Sequence, residues 1–179
     1  MYIKRALYIL LALAVCVMAS VSCSTKKNTA ASRFWQSFNT RYNVYYNGAQ
    51  AYIEGEKSKV QGHKDNYTEF LPVFLVGNEK SRTSGKSSFE TAITKCQKAI
   101  ALHSIKRRPV VSASKRKTPK MKAYLQRKEY NPFLKNAWLM MGRAQFEKGD
   151  FLEAAATFSY IARLYAAEPA VAAEANQWL

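Results

Sequence analysis

The residues from 138 to 158, WLMMGRAQFEKGDFLEAAATF, constrain the fold of this chain most strongly. Gly149 followed by Asp150 divides the stretch into two helices, because glycine ends a helix in a left-handed conformation and aspartate caps the next helix. Glu153 stands three residues after Asp150 and completes the pattern of a capping box. The stretch therefore predicts two antiparallel helices joined by a tight turn.

Small and aromatic residues occupy the positions at which these two helices meet. We expect the helices to approach closely where Gly142 faces Ala154. We expect them to separate where Trp138 faces Phe158, so that aromatic bulk fills the gap. An ordinary amphipathic hairpin would not need small residues at both close-contact positions, so this spacing indicates a specific kind of hairpin.

The spacing resembles one tetratricopeptide repeat (TPR), a helical hairpin of about 34 residues. With Gly142 at the eighth position of the repeat, Trp138 is at the fourth and Met141 at the seventh. Met141, Ile161 and Leu164 are then expected at the seam with a following hairpin. The predicted hairpin covers residues 130–168, and repeats of this kind form binding surfaces more often than active sites.

An earlier part of the chain, residues 34–103, predicts another TPR-like hairpin. Tyr45, Ala49 and Tyr52 repeat the large, small, aromatic spacing of the first helix. The second helix is predicted in FETAITKCQKAIALHS, where Phe89 and Cys96 lie on one apolar stripe. Residues 53–86 form a long insertion between these helices, and its apolar patch YTEFLPVFLVG either packs across the hairpin mouth or meets a partner. The predicted fold class is all-α, an α-solenoid of such hairpins.

Residues 104–129 predict a basic, flexible linker between the hairpins. Ten Lys or Arg residues and no Asp or Glu lie between Ser104 and Lys128, and Pro109 and Pro119 interrupt any long helix. The candidate electrostatic contacts are Arg107, Arg108, Lys115, Arg116 and Lys117. The alternatives are acidic protein surfaces, anionic lipid or lipopolysaccharide phosphate, or a solvated linker with no partner.

The last residues, 169–179, predict the start of a next repeat. Pro169 opens a helix, and Trp178 lies 40 residues after Trp138, near the fourth position of a repeat with a slightly long connection. Because a helical solenoid needs stacked neighbours and a cap, we expect this chain to be the N-terminal fragment of a longer protein.

The N-terminus predicts export and lipidation. Lys4 and Arg5 precede an apolar run that is shorter than the roughly 20 residues of a membrane-spanning helix. Small residues then lead to Cys23, in a pattern similar to a lipoprotein cleavage site. We therefore expect residues 1–22 to be a lipoprotein signal peptide, Cys23 to be acylated, and residues 23–33 to be a tether. An ordinary cleaved signal and a short uncleaved anchor are the alternatives.

Catalytic and metal-binding patterns are not found in the sequence. His63 and His103 stand far apart, no Cys or His pair has metal-ligand spacing, and no glycine-rich phosphate loop or nucleophile elbow occurs. Cys96 lies on an apolar stripe and is expected to be a buried structural thiol. The sequence therefore predicts a non-enzymatic protein with no metal and no cofactor.

Three segments together carry a more specific likeness. FWQSFNTRYNVYYNG after the predicted lipidated cysteine, then KAIALHSIKRRP, then YNPFLKNAWLMMGRAQFEKGDFLEAAATFSYIARLY resemble the gliding-motility and type IX secretion lipoproteins of Bacteroidota of the SprE/PorW type. The order of tether, aromatic block, insertion, basic linker and repeat is similar throughout residues 34–179. Cys23 is the one position to which the resemblance assigns a role.

The resemblance implies a long TPR protein anchored by lipid in the outer membrane and facing the periplasm. It implies a bridge between the periplasmic trans-envelope complex and the outer-membrane translocon of type IX secretion. Net charge of +16 would favour nucleic acid, but an exported chain without a recognised nucleic-acid fold argues against that partner.

Two other functions stay open. A TPR-based nutrient-capture lipoprotein would need an aromatic platform for a sugar, and Tyr42, Tyr45, Tyr46 and Tyr52 are the candidates, although their helical spacing favours packing within a hairpin. A TPR lipoprotein that assists outer-membrane protein assembly is the other alternative.

Overall fold

The structure, a computed structural model, describes residues 27–68, 70, 71, 73, 75–116 and 118–179. These residues are helical or form connections between helices, and none of them lies in a β-strand. The prediction of an all-α fold is therefore confirmed. The predicted signal peptide 1–22, Cys23 and Lys117 lie outside the described residues.

The helices are α1 (Ala30–Asn39), a π-helical segment (Thr40–Tyr45), α2 (Tyr46–Gly62), α3 (Glu79–Thr83), α4 (Lys86–His103), α5 (Ala113–Arg116), α6 (Pro119–Leu125), α7 (Leu134–Lys148), α8 (Phe151–Leu164) and α9 (Pro169–Gln177). No helix among the described residues has the length and the apolar character needed to cross a membrane.

The first helix begins earlier than predicted. The hydroxyl of Thr29 accepts a hydrogen bond from the Ser32 backbone N–H at 3.1 Å, and this N-cap starts α1 at Ala30. The predicted tether of residues 23–33 is therefore wrong at its C-terminal boundary. From Ala30 the chain continues through the π-helical segment into α2 without a break.

The predicted insertion of residues 53–86 is also shorter. The helix α2 continues to Gly62, because Gly55 and Lys59 keep it in contact with the rest of the fold. The connection between α2 and α4 is thus residues 63–85. In its apolar patch Tyr67, Phe70 and Val73 are more than four-fifths exposed, so these side chains do not pack across the hairpin.

Successive long helices pack against each other in antiparallel order. Buried clusters bring Ala99 of α4 to Leu134 and Ala137 at the start of α7, and Cys96 to Met140 and Met141. One turn further, Phe89 and Ala92 share a cluster with Ala144. The residue numbers rise on α7 as they fall on α4, and the two helices therefore run in opposite directions.

Helix α8 packs against both α7 and α9. Ile161 and Leu164 of α8 share the largest buried cluster with Val171 and Ala175 of α9. The helix α9 begins at Pro169, as predicted, and ends before Trp178. Trp178 therefore follows the last turn of α9 and does not lie in the first helix of a next repeat. Its ring stacks on the Phe158 ring, with 5.5 Å between the ring centroids.

In the turn between α7 and α8, Gly149 has the predicted left-handed conformation, but Asp150 does not form the predicted cap. Gly149 has a φ of 89° and donates to Phe146 O, while the N–H of Asp150 donates to Gln145 O at 2.9 Å. This pair of bonds is a Schellman motif. The Asp150 carboxylate makes no capping hydrogen bond and instead lies 2.8 Å from Lys148 Nζ, so the predicted capping box is absent.

The basic segment 104–129 is held at both ends, contrary to the prediction of a flexible linker. The buried carboxylate of Glu129 accepts hydrogen bonds from the Ile105 and Asn131 backbone N–H groups, both at 2.8 Å, and from the Ser104 hydroxyl. Ile105 O in turn accepts from the Tyr130 N–H at 2.9 Å. Glu129 stands one residue beyond the acid-free run, and it closes this segment into a loop.

Candidate protein-binding groove

The predicted TPR packing residues are brought together by α7 and α8. Gly142, Ala154, Phe158 and Ile161 lie in or beside the buried interface of this hairpin. Ile161 contacts the cluster shared with α9, as expected for the seam with a following helix. Met141 is buried in the cluster of Cys96, on the side of the preceding helix, so its predicted place at the following seam is wrong.

The helices α7 and α8 approach closely where Gly142 meets the Phe158 ring. A Cβ added at Gly142 would meet Phe158 Cζ at 2.7 Å, whereas Ala154 is not among its nearest atoms. Trp138 faces Tyr160, with ring centroids 4.9 Å apart. Trp138 also packs against the buried cluster that contains Ala154 and Phe158, and the atoms nearest to Gly142 belong to the Phe158 ring.

The same kind of contact recurs between α2 and α4. A Cβ added at Gly55 would meet the Phe89 ring at 2.8 Å. A Cβ added at Gly48, two turns earlier, would meet Lys95 Cβ at 3.2 Å. Sequence spacing assigned the small position to Ala49, which packs against the buried cluster of Cys96 and also lines a groove. The positions where α2 approaches α4 include Gly48 and Gly55.

This groove lies where α2, α7 and α9 come side by side, and it has a volume of about 310 Å³. Tyr45, Ala49 and Tyr52 line one wall, and Asn136 and Arg143 line the other. The remaining lining residues are Ile53, Glu56, Leu139, Met140 and Glu174. The helices α2, α7 and α9 thus form one surface that carries phenols, one amide and charged side chains.

A second depression of about 420 Å³ continues the groove toward the π-helical segment. It shares Tyr45, Ala49 and Asn136 with the first depression and adds Tyr42 and Tyr46. In the π-helical segment the Tyr46 N–H donates to Arg41 O, a step of five residues that alters the angular positions of the side chains around it. π-Helical segments frequently occur at functional sites.

The tyrosines of the groove form two pairs: Tyr45 and Tyr52 pack against the buried clusters of Cys96 and Phe89, as their spacing predicts, whereas Tyr42 and Tyr46 line the second depression. Tyr42 is 53 % exposed and Tyr46 55 % exposed, whereas Tyr45 and Tyr52 are half-buried. Burial raises the pKa of both Tyr45 and Tyr52, and for Tyr52 the nearby carboxylates of Glu56 and Glu147 raise it further. Both phenols therefore remain protonated at neutral pH.

Arg143 is the central charge of the groove. Its guanidinium forms an ion pair with Glu174 and lies 5.5 Å from the centroid of the Trp178 ring. Its Nε atom is buried and has no hydrogen-bond partner among the described residues. Sequence spacing gave no indication of this residue, because the groove depends on helix packing.

The candidate electrostatic residues of the basic segment lie away from the groove. Arg107, Arg108 and Lys115 line a separate cavity of about 700 Å³. Arg116 is directed to its own segment, with Nε donating to Val111 O at 2.8 Å. Within the part of the chain that the structure describes, no group of three or more His, Cys, Asp or Glu side chains is arranged to hold a metal ion.

Cys96 is completely buried, as its position on the apolar stripe predicts. Burial raises the pKa of its thiol to about 12.

Comparison of the chain with protein-family models gives no match, and comparison with curated proteins gives none either.

Proposed function

We propose that this chain is a TPR-like helical scaffold that binds a segment of a partner protein in the groove between α2, α7 and α9. We further propose that it is a lipoprotein, anchored through Cys23 in the outer membrane and facing the periplasm. Its partners are then the periplasmic trans-envelope complex and the outer-membrane translocon of type IX secretion, and through them gliding motility.

The spacing of the helices supports the TPR-like part of the proposal. Helix α7 begins at Leu134 and α9 at Pro169, a separation of 169 − 134 = 35 residues, close to the TPR period of about 34. The glycine beneath a phenylalanine ring, Gly142 under Phe158 and Gly55 under Phe89, recurs in both hairpins. A repeated close contact of this kind is what stacked helical hairpins require.

The groove is the observation that carries the proposal of partner binding. The side chains of Arg143, Tyr45, Tyr52 and Asn136 line it together. Tyrosine and arginine are enriched where proteins bind each other, because they combine apolar contact with hydrogen bonding. The role in secretion and the outer-membrane location come from the family resemblance of the sequence.

An affinity pull-down of the lipidated full-length protein from solubilised envelopes tests this function. Recovery of the periplasmic ring or translocon proteins of type IX secretion is the expected result. The variant Arg143→Gln should reduce that recovery, since it removes the charge of the groove. The matched variant Arg163→Gln changes an exposed arginine of α8 outside the groove and should leave recovery unchanged. Equal recovery with both variants would remove the groove from the mechanism.

Solute capture is a second candidate function, favoured by the exposed rings of Tyr42 and Tyr46 in the second depression. Aromatic faces of this kind also form sugar platforms. Recovery of a nutrient transporter without secretion proteins in the same pull-down would favour capture over the bridge.

A further inference from the structure

A basic cavity lies between the start of α1 and the segment 107–115. Five cationic side chains line it, those of Lys27, Arg33, Arg107, Arg108 and Lys115. No carboxylate is among its described lining residues, and none of these five forms an ion pair with a described Asp or Glu. A concentration of unbalanced positive charge around a concave site attracts anions.

The walls of the cavity are held by specific hydrogen bonds. Asn28 Nδ2 donates to Arg107 O at 2.7 Å, and Arg33 Nη1 donates to Asn28 Oδ1 at 2.6 Å. The Arg33 guanidinium also lies 5.9 Å from the centroid of the Tyr124 ring. These contacts join the N-terminal end of the described chain to the basic segment, so the cations come from two parts of the sequence that are far apart.

Apolar side chains stand beside the cations. Val110 is 94 % exposed, and Val111 and Met121 also line the cavity. A site for a free inorganic anion needs no such apolar surface. A phosphate that is attached to a lipid offers both a charge for the arginines and hydrocarbon for the valines.

The position of the cavity along the chain points to the same ligand. Lys27 is the fourth residue after Cys23. Four residues span at most about 14 Å even when fully extended. If Cys23 carries the lipid anchor, the cavity lies next to the headgroups of the anchoring membrane.

We propose that this cavity binds the phosphate group of an anionic lipid headgroup at the surface of the anchoring membrane. The inference depends on one part of the proposed function, which is the lipid anchor at Cys23. It assigns Lys27, Arg33, Arg107, Arg108 and Lys115 as the phosphate-binding side chains. The contact would orient the helices relative to the membrane, which a single acylated residue at the end of a chain does not do.

Vesicle binding by the non-acylated chain tests the site separately from the anchor. The contacts described above lie between Lys27 and Leu179, so the chain from residue 23 with Cys23→Ser contains all of them. The vesicles contain phosphatidylcholine alone, or phosphatidylcholine with phosphatidylglycerol. The pocket variant is R107Q/R108Q/K115Q. The control variant K57Q/K86Q/K98Q removes the same charge from exposed lysines outside the cavity.

We expect binding to the anionic vesicles, and the pocket variant should reduce the partition coefficient about a hundredfold, since each of its three basic residues contributes a factor of about five at an anionic surface. The control variant should stay within about threefold of the unaltered chain, because exposed charges away from the membrane contribute little. The three altered residues are exposed, so we expect the pocket variant to fold. Helical circular dichroism equal to that of the unaltered chain checks this.

Equal losses in the two variants would overturn the site, since diffuse charge would then explain binding. Absence of binding to anionic vesicles would overturn it as well. A third arm adds inorganic phosphate without vesicles: stabilisation that depends on Arg107 and Arg108, without vesicle binding, would assign the cavity to a free anion and contradict the lipid. None of these results bears on the partner recovery that tests the proposed function.

Discussion

At the residue scale, the glycines beneath phenylalanine rings determine how closely the helices pack. Gly142 and Gly55 lie within van der Waals distance of rings on the next helix, and a methyl group at either position would overlap the ring. Overpacking of this kind typically costs about 1–3 kcal/mol, because neither the ring nor the backbone can move away freely.

The variant Gly142→Ala should therefore lower the free energy of unfolding by about 2 kcal/mol, measured by chemical denaturation. Gly62→Ala is the matched control, because Gly62 ends α2 and an added Cβ would meet only the Ser84 hydroxyl, at 3.2 Å. Alanine is the better helix former, and this control should be neutral or slightly stabilising. Equal stability of the Gly142→Ala variant and the unaltered chain would contradict the packing described for this hairpin.

His103 gives the fold a pH dependence. Its Nδ1 lies 2.6 Å from Gln36 Oε1, which accepts the Nδ1 proton, and burial lowers the pKa of the imidazole below its usual 6.5. The unfolded chain therefore takes up a proton more readily than the folded chain. The contribution of His103 to stability is therefore fully present above about pH 6.5 and is lost as the pH falls below that value.

We expect thermal unfolding of the unaltered chain to move to lower temperature between pH 7.5 and pH 5, values spanning the usual histidine pKa of about 6.5. The variant His103→Asn keeps a donor toward Gln36 but does not titrate, so its dependence on pH should be smaller over the same interval. A profile for His103→Asn as steep as that of the unaltered chain would show that other groups are responsible.

At the scale of elements, Glu129 determines the conformation of the basic segment. Its carboxylate, only 3 % exposed, accepts from three backbone N–H groups and one hydroxyl at the two ends of the loop. Asn131 adds a connection to the N-terminal helices, with Nδ2 donating to His103 O at 2.9 Å and to Thr40 Oγ1 at 3.0 Å. The first helices, the end of α4 and the start of α7 thus meet at one polar cluster.

Glu129→Ala should destabilise the fold by about 3 kcal/mol or more, since it leaves several buried donors without an acceptor. Glu129→Gln should cost less, because its amide oxygen can still accept from the backbone N–H groups. Hydrogen exchange of the Ile105 and Asn131 amides, compared between the two variants, measures the local effect. Protection that is unchanged in Glu129→Ala would contradict the role of this carboxylate.

The sequence predicted the helices better than the contacts between them. Gly149, Pro169 and the apolar stripe around Cys96 are local signals, and the structure agrees with each of them. The hydrogen bonds to the Glu129 carboxylate were not predicted, because they join groups at the two ends of a loop. Ser104 and Glu129 are 25 residues apart in the sequence. Asn131 Oδ1 accepts a hydrogen bond from the Phe133 N–H, and α7 begins one residue later, at Leu134.

At the scale of the whole molecule, the groove and the basic cavity are products of helix packing. Tyr45 and Tyr52 have the spacing of hairpin residues and pack against the buried clusters of α4 and α7, and they also line the groove with Asn136 and Arg143. The cations of the basic cavity come from residues 27–33, at and before the start of α1, and from the segment 107–115. Spacing within one helix predicts neither of these sites, because each depends on helices that are distant in sequence.

Cross-linking in living cells tests the central claim, that the groove binds a protein partner, most directly. A photo-reactive amino acid replaces Tyr46 in the groove in one variant and Leu152 in another. Leu152 is 89 % exposed on α8 and does not line the groove, so it controls for surface collisions. The account predicts discrete adducts with envelope proteins of the secretion machine from position 46 and none from position 152. Adducts of equal yield from both positions, or from position 152 alone, would contradict it.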